Sequence, residues 1–159
     1  MEDNVEAIIK VQYLFFVIDE ESYAVRADKV KEIVDYVQIT KIPQTNSSIM
    51  GVTNIRGDII PIIDPKIRFE LGNTNIEKRT SFIILNILNQ ETDELSAIAI
   101  IVDLVNEVDN LHPDDILPTP EFGTAIDRNY IKNMLRYNDQ YITALDIDAV
   151  LNTEELSQK

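Results

Sequence analysis

The hydrophobic positions of this chain fall into short runs separated by polar turns, which is typical of a mainly β protein. Three pairs of runs each flank a short polar segment and predict β-hairpins. The paired runs are 12–18 with 23–25, 81–88 with 95–102, and 131–136 with 141–147. The first hairpin turns through the four polar residues 19–22. Both arms of the second are apolar for most of their length, so we expect them to be central strands.

The spacing of the apolar residues changes after the first hairpin, between Ala27 and Val37. Apolar residues at 30, 33, 34 and 37 follow the spacing of one helical face. The segment is short and rich in residues that are only fair helix formers. The pattern therefore predicts either a full helix or a helical turn that leads into a strand.

Two further short helices are predicted, one at 66–71 and one at 148–152 with Asp148 near its N-cap. The segment from His112 to Gly123 contains three prolines and predicts an irregular connector. The total is eight to ten strands without a recognisable internal repeat. This pattern favours small β-barrels or a sandwich, mostly antiparallel.

The densest aliphatic run lies in the stretch Gly51–Asp64. Gly51 and Gly57 are expected to bracket a tight backbone excursion, since glycine adopts positive φ without steric cost. The run from Ile59 to Ile63 predicts a strand buried on both faces, and Pro61 predicts an edge or irregular position in it. Arg56 then lies in the turn. It either forms an ion pair that pins the turn, with Glu32 as a candidate partner, or is presented to another protein.

Composition limits the classes of function. The chain has 159 residues, of which 45% are hydrophobic, enough for one compact domain or two intimately joined lobes. It has no cysteine, which excludes disulfides and thiolate chemistry and favours a reducing compartment. Its formal charge of -14 disfavours nucleic acid and anionic lipid surfaces as partners. The acidic N-terminus is unlike a secretory signal, and the apolar run 13–18 is too short to span a membrane, so a cytoplasmic protein is expected.

The sequence contains no recognisable catalytic signature. The sequence has no glycine-rich phosphate loop and no GxSxG elbow. His112 is the single histidine and is expected to be a surface loop residue. Asp146 and Asp148 could share a face and hold a weak divalent site, although a strand end followed by a helix cap is the alternative. We therefore predict a binding module without metal or cofactor.

The central stretch resembles the signature of CheW-like domains, in which a G-V-x-N-L-R-G core leads into a V-I-P-V-I-D-L strand. The matching residues here are Gly51-Val52-Thr53-Asn54-Ile55-Arg56-Gly57 and Ile59-Ile60-Pro61-Ile62-Ile63-Asp64. Ile55 replaces the usual leucine, and Pro65 replaces the leucine after the aspartate. Further matches are the hairpin at 13–25, Val30-x-Glu32-Ile33, Ile42-Pro43, Ile101-Val102-Asp103 and Leu145-Asp146-Ile147.

The resemblance implies two five-stranded SH3-like β-barrels packed side by side. It implies one such domain over 12–152, preceded by a polar leader at 1–11 and followed by a polar tail at 153–159. The implied function is non-enzymatic: an adaptor that couples methyl-accepting chemoreceptors to the histidine kinase CheA, recruited to receptor arrays at the inner membrane. The alternatives are a module of a larger CheV-like adaptor, a pathway unrelated to motility, or a small metal enzyme that uses the Asp146 and Asp148 pair.

The resemblance also implies three groups of site residues. The apolar groove for the receptor tip is matched by Leu14, Ala27, Val30, Ile33 and Val105, with Ala27 making the groove locally shallower. The coupling turn and its ion pair are matched by Glu32, Asn54, Arg56 and Gly57. The side that faces the kinase's regulatory domain is matched by Thr40, Lys41, Ile42 and Pro43.

Overall fold

The computed structural model of the chain describes residues 9–43, 46–89 and 91–152. Most of the predicted polar leader and all of the predicted tail at 153–159 lie outside these residues. The described chain contains eleven strands and two short helices. The strands are β1 Val11–Ile18, β2 Glu21–Arg26, β3 Val30–Asp35, β4 Ile49–Ile55, β5 Asp58–Ile63, β6 Ser81–Asn89, β7 Glu94–Val102, β8 Leu104–Leu111, β9 Ile116–Leu117, β10 Ile131–Tyr137 and β11 Gln140–Leu145. The helices are α1 Pro65–Arg68 and α2 Ile147–Val150, and 3-10 turns lie at Ala27–Lys29, Pro113–Asp115 and Arg128–Tyr130.

The strands form two sheets, which confirms the predicted pair of SH3-like barrels. The first sheet has the order β8-β1-β2-β11-β10-β9 and is called lobe A; the second has the order β3-β6-β7-β5-β4 and is called lobe B. Most neighbouring strands are antiparallel, as predicted. Two pairs, β2 with β11 and β5 with β7, are parallel, so both sheets are mixed. Parallel neighbours are distant in sequence, and no local pattern signals them.

The two lobes repeat one topology, although no repeat was recognised in the sequence. Each has a central hairpin (β1–β2 or β6–β7), a second hairpin parallel to its second arm, and an outer strand on its first arm. The stretch Ile49–Arg68 of lobe B matches Ile131–Val150 of lobe A. Both stretches begin with a register shift, turn tightly, and end in a four-residue helix capped by an aspartate, Asp64 or Asp146.

The hydrophobic core consists of three apolar clusters. One fills lobe A, with Tyr13 and Phe15 among its members, and one fills lobe B, with Phe82 among them. The largest lies between the lobes and takes residues from both, including Phe16 and Ile100, which are fully buried. These four aromatic residues are all buried, at 0–3% exposure.

The segment after β2 is a 3-10 turn followed by strand β3, so the second of the two predicted alternatives holds and the full helix is wrong. The helix-like spacing of Val30 and Ile33 has a specific cause. The register shifts between Val30 and Glu32 as β3 pairs with β6. A bulge inserts one residue, so positions three apart face the same side of a strand.

Three smaller expectations are corrected. The first hairpin turns through two residues, Asp19 and Glu20, rather than four, and both have positive φ. The last strand ends at Leu145, and the final helix is capped by Asp146 rather than Asp148. Strand β5 is not buried on both faces, because Ile59 is 63% exposed.

Candidate functional site

An apolar strip lies where the two lobes meet. Val30 and Val105 are half-buried and pack against the inter-lobe core. Ile33 pairs with Ile83 of that core, and Val108 pairs with Leu14 in the same way. Cross-strand partners share a face of the sheet, so all four residues border the inter-lobe core. We call Val30, Ile33, Val105 and Val108 the seam strip.

Two edge strands, β3 and β8, supply the seam strip. Each is the outermost strand of its sheet, and each carries a register shift at the same point of its ladder. Ile33 is 41% exposed and Val108 is 48% exposed, so the strip offers a partly open apolar surface. The lobe repeat therefore gives the strip two equivalent sides.

Val108 was missed by sequence reasoning, although a signal was present. Residues 28–33 read Asp-x-Val-x-Glu-Ile and residues 103–108 read Asp-x-Val-x-Glu-Val. This short internal repeat matches the position of Val108 to that of Ile33. It also matches Glu107 to Glu32.

Two of the predicted groove residues, Leu14 and Ala27, lie outside the seam strip. Leu14 is only 1% exposed, so it forms part of the core beneath the strip and presents no contact surface of its own. The resemblance placed it on the groove wall, and burial in the assembled lobes corrects that position. Ala27 is half-buried in the 3-10 turn that precedes β3.

The glycine-containing turn joins β4 to β5 through Arg56 and Gly57. Both residues have positive φ, 52° and 90°, which is the geometry of a two-residue hairpin turn. The Asn54 side-chain oxygen accepts a hydrogen bond from the Gly57 N–H at 2.9 Å and closes the turn. Asn54, Arg56 and Gly57 thus form one local unit.

The Arg56 side chain reaches from this turn to Glu32 on β3. Its Nη1 atom donates to Glu32 Oε1 at 2.6 Å and lies 2.5 Å from Glu32 Oε2. The hydrogen bond to Glu32 and its negative charge raise the pKa of the Arg56 guanidinium. The Arg56 side chain is 71% exposed and that of Glu32 is 23% exposed, so the pair leaves most of the guanidinium accessible.

Beside the matching turn of lobe A, a tyrosine of β10 contacts two carboxylates of the edge strand β8. The Tyr137 hydroxyl donates to Asp109 Oδ2 at 2.6 Å and lies 3.1 Å from Glu107 Oε1. This hydrogen bond lowers the pKa of Asp109 and raises that of Tyr137. The Tyr137 ring also stacks on Phe15 at a centroid distance of 4.4 Å. Among the described residues, lobe B therefore joins its turn to its edge strand through an arginine, whereas lobe A uses a neutral tyrosine.

Gly51 has a separate role from the turn, which corrects the expectation that it brackets the turn with Gly57. Thr40 exchanges two backbone hydrogen bonds with Val52, of 2.8 and 2.9 Å, and lies directly over Gly51. A Cβ atom at Gly51 would lie 2.3 Å from the Thr40 carbonyl oxygen. Only glycine allows this approach. The glycine therefore holds the predicted kinase-facing segment, Thr40–Pro43, against the edge strand β4, and all four residues of the segment are exposed.

The acidic and histidine candidates have structural partners. Asp146 caps α2 through the Ala149 N–H, and Asp148 pairs with Lys29. His112 Nδ1 accepts from the Asp114 N–H at 3.0 Å. Across 9–43, 46–89 and 91–152, no group of three or more His, Asp or Glu side chains is arranged to hold a metal ion. No helix in these ranges is both long enough and apolar enough to cross a membrane.

Comparison with known proteins decides the family. The model of the CheW-like domain matches residues 12–155. This chain belongs to the CheW-like family. The match includes the turn at Arg56, the seam strip and the Thr40–Pro43 segment in one domain.

Individual relatives agree with the family assignment. The chain is 32% identical to the chemotaxis protein CheW of Klebsiella aerogenes, over 92% of this chain and 84% of that protein. It is 31% identical to the chemotaxis protein CheW of Treponema pallidum, over 92% and 85%. Among solved structures, it matches the scaffolding protein TtCheW of Thermoanaerobacter tengcongensis with a TM-score of 0.77 and 34% identity, over 87% of this chain and 90% of that one. These relatives support a scaffold or adaptor role in chemotaxis.

Proposed function

We propose that this chain is a non-enzymatic chemotaxis adaptor that couples methyl-accepting chemoreceptors to the histidine kinase CheA. Membership of the CheW-like family over 12–155 is the observation that carries the proposal. In this role the chain acts as one domain of two lobes and is recruited to receptor arrays at the inner membrane. Its contribution is to hold two partners at a fixed distance and orientation.

The seam strip is the proposed receptor contact. Its four aliphatic side chains stand on two edge strands and border a rigid core. An apolar face of a helix packs well on such a surface. Burial of each Val or Ile contributes roughly 1.5–3 kcal/mol before the entropic cost of association is subtracted. The net affinity of one contact is therefore modest, and an array of many contacts gains strength through avidity.

The segment Thr40–Pro43 is the proposed contact with the regulatory domain of CheA. It lies at the outer edge of lobe B, held by the Thr40–Val52 bridge. Ile42 is 38% exposed at this edge and gives it an apolar contact point. The segment and the seam strip share no residue, and in this proposal both partners are bound at once.

Arg56 is the proposed coupling residue, and Arg56→Ala tests it. Its guanidinium is exposed and its ion pair with Glu32 lies at the surface, so removing it leaves the core intact. We expect the variant to unfold at the wild-type temperature and to bind CheA normally. In arrays reconstituted with receptor and kinase, attractant should no longer control CheA autophosphorylation.

The matched control is Arg136→Ala, because Arg136 forms a comparable surface ion pair with Asp115 in lobe A. The control should retain wild-type receptor control. Wild-type control in Arg56→Ala would contradict the role of Arg56. Kinase activity that ignores the receptor even with wild-type protein would contradict the adaptor proposal itself.

A further inference from the structure

The central hairpin of lobe B is longer than its counterpart in lobe A. In lobe A the β1–β2 hairpin turns directly after the pair Ile18–Glu21. The matching pair in lobe B is Ile87–Ser96, and there the ladder continues through Leu88–Leu95 and Asn89–Glu94. The extra length is specific to lobe B. It lengthens β7 at its N-terminal end.

The neighbouring strand β5 does not follow this extension. It pairs with β7 only at Ile62–Ala99 and Ile63–Ile100. In lobe A the equivalent ladder starts one position earlier, at Thr143–Tyr23. Pro61 stands at the position of Thr143 and has no N–H to donate, which explains the late start.

The result is an unpaired strand edge beside an open cleft. Within the described part of the chain, residues 94–98 of β7 have no strand partner on the side that faces β5. A cleft of about 550 Å³ lies there, lined by Asp58, Pro61, Ser96, Ile98 and their neighbours. Unpaired edges readily accept another strand, and natural proteins usually protect them.

The surroundings of the edge indicate the chemistry of a partner. Leu95 is 67% exposed and Ile59, at the mouth of the cleft, is 63% exposed. Asp58, Glu94 and the hairpin residues Glu91 and Asp93 are exposed acids. Lys31 is the cation that lines the cleft. The edge therefore combines apolar contact points with a predominantly negative charge.

We propose that residues 94–98 form a strand-addition site for an extended partner segment that alternates basic and apolar residues. Main-chain hydrogen bonds to β7 supply affinity, and the acidic rim selects basic side chains. A second copy of this chain fits poorly, because each copy carries a formal charge of -14 and an acidic rim. The inference stands independently of the chemotaxis role.

The test uses a fluorescein-labelled peptide of sequence Lys-Val-Lys-Val-Lys-Val and a control peptide, Lys-Pro-Lys-Pro-Lys-Pro, of equal charge. Proline cannot donate main-chain hydrogen bonds. By fluorescence anisotropy, the full chain should bind the valine peptide about tenfold or more tightly than the proline peptide. Hydrogen exchange should slow at 94–98 when the valine peptide is bound.

Two variants locate the site. Leu95→Lys should weaken binding of the valine peptide about tenfold. Tyr141→Lys is the control, because Tyr141 occupies the matching place of Ile59 in lobe A and is also 67% exposed. Equal binding of both peptides, or equal losses in both variants, would show charge attraction alone and overturn the proposal. A wild-type dimer that Leu95→Lys converts to a monomer would assign the edge to a second copy and overturn it as well.

Discussion

At the scale of single residues, Tyr23 stands out because its hydroxyl is buried without a hydrogen-bond partner in the described part of the chain. The ring is 2% exposed and lies between Phe16 and Phe69 in the inter-lobe core. Burial, with smaller effects of Glu21 and Asp19, raises the pKa of Tyr23 to about 12. A buried polar group without a partner carries a desolvation cost.

Tyr23→Phe should therefore stabilise the protein by about 1 kcal/mol near neutral pH. The pH dependence follows from the raised pKa. The unfolded chain loses the Tyr23 proton near pH 10.0 while the folded chain keeps it to about 12, so wild-type stability is full below pH 10.0 and falls as pH rises toward 12. Urea unfolding at a series of pH values checks both effects. Loss of stability in Tyr23→Phe at neutral pH, or an unchanged alkaline slope, would contradict this account.

At the scale of elements, each of the two short helices forms an ion pair with a segment where the chain passes from one lobe to the other. Lys66 on α1 lies 3.3 Å from Asp103, at the crossing from β7 to β8, and 4.0 Å from Asp19 in the first hairpin turn. Asp148 occupies the matching position on α2 and pairs with Lys29, at the crossing from β2 to β3. The helix therefore supplies the positive charge in the first pair and the negative charge in the second. Each stands just before a strand of the seam strip.

These pairs should differ in strength because they differ in exposure. The Lys66 side chain is 11% exposed, whereas those of Lys29 and Asp148 are 39% and 47% exposed. Lys66→Met should lower the free energy of unfolding by roughly 1–2 kcal/mol, since it removes the cation that faces the partly buried Asp103, whose side chain is 29% exposed. Lys29→Met should change it by less than about 0.5 kcal/mol, because water screens an exposed pair. Equal effects in thermal unfolding would show that burial does not set the strength of these pairs.

At the scale of the whole molecule, the seam strip exists only because two lobes with one topology pack side by side. Neither β3 nor β8 carries an extended apolar face of its own. Their aliphatic residues meet at the inter-lobe core because both strands are bulged at the same point. The strip has two sides, and both should contribute to receptor binding.

Ile33→Glu and Val108→Glu should each weaken binding of the receptor's helical tip by about tenfold or more, since each removes an aliphatic contact and buries a charge. Both residues are partly exposed, so the fold should be kept. Titration with a receptor cytoplasmic fragment measures the effect, CheA binding reports on the remaining surface, and Tyr141→Glu is the control. A normal affinity in Val108→Glu beside a lost affinity in Ile33→Glu would show a one-sided site.

Much of this organisation was predictable from the sequence. The three hairpins follow from the alternation of apolar runs and turns, and the Gly51–Asp64 stretch identifies the family. Two backbone requirements restrict this stretch: a positive φ at Gly57, set within its own turn, and the close approach of Thr40 at Gly51. The sequence and the family resemblance both predict Glu32 as a partner of Arg56, and the ion pair is present.

The tertiary structure decided which residues are surface and which are core. Leu14 and Ile33 are both aliphatic, yet Leu14 is 1% exposed in the inter-lobe core and Ile33 is 41% exposed. The spacing of Val30 and Ile33 is compatible with a full helix or with a helical turn that leads into a strand, and only the pairing with β6 shows the bulge that produces it. The opening beside Pro61 depends on a parallel neighbour that is distant in the chain. Burial, bulges and parallel pairing depend on residues that approach only after folding, so a pattern read along one segment does not contain them.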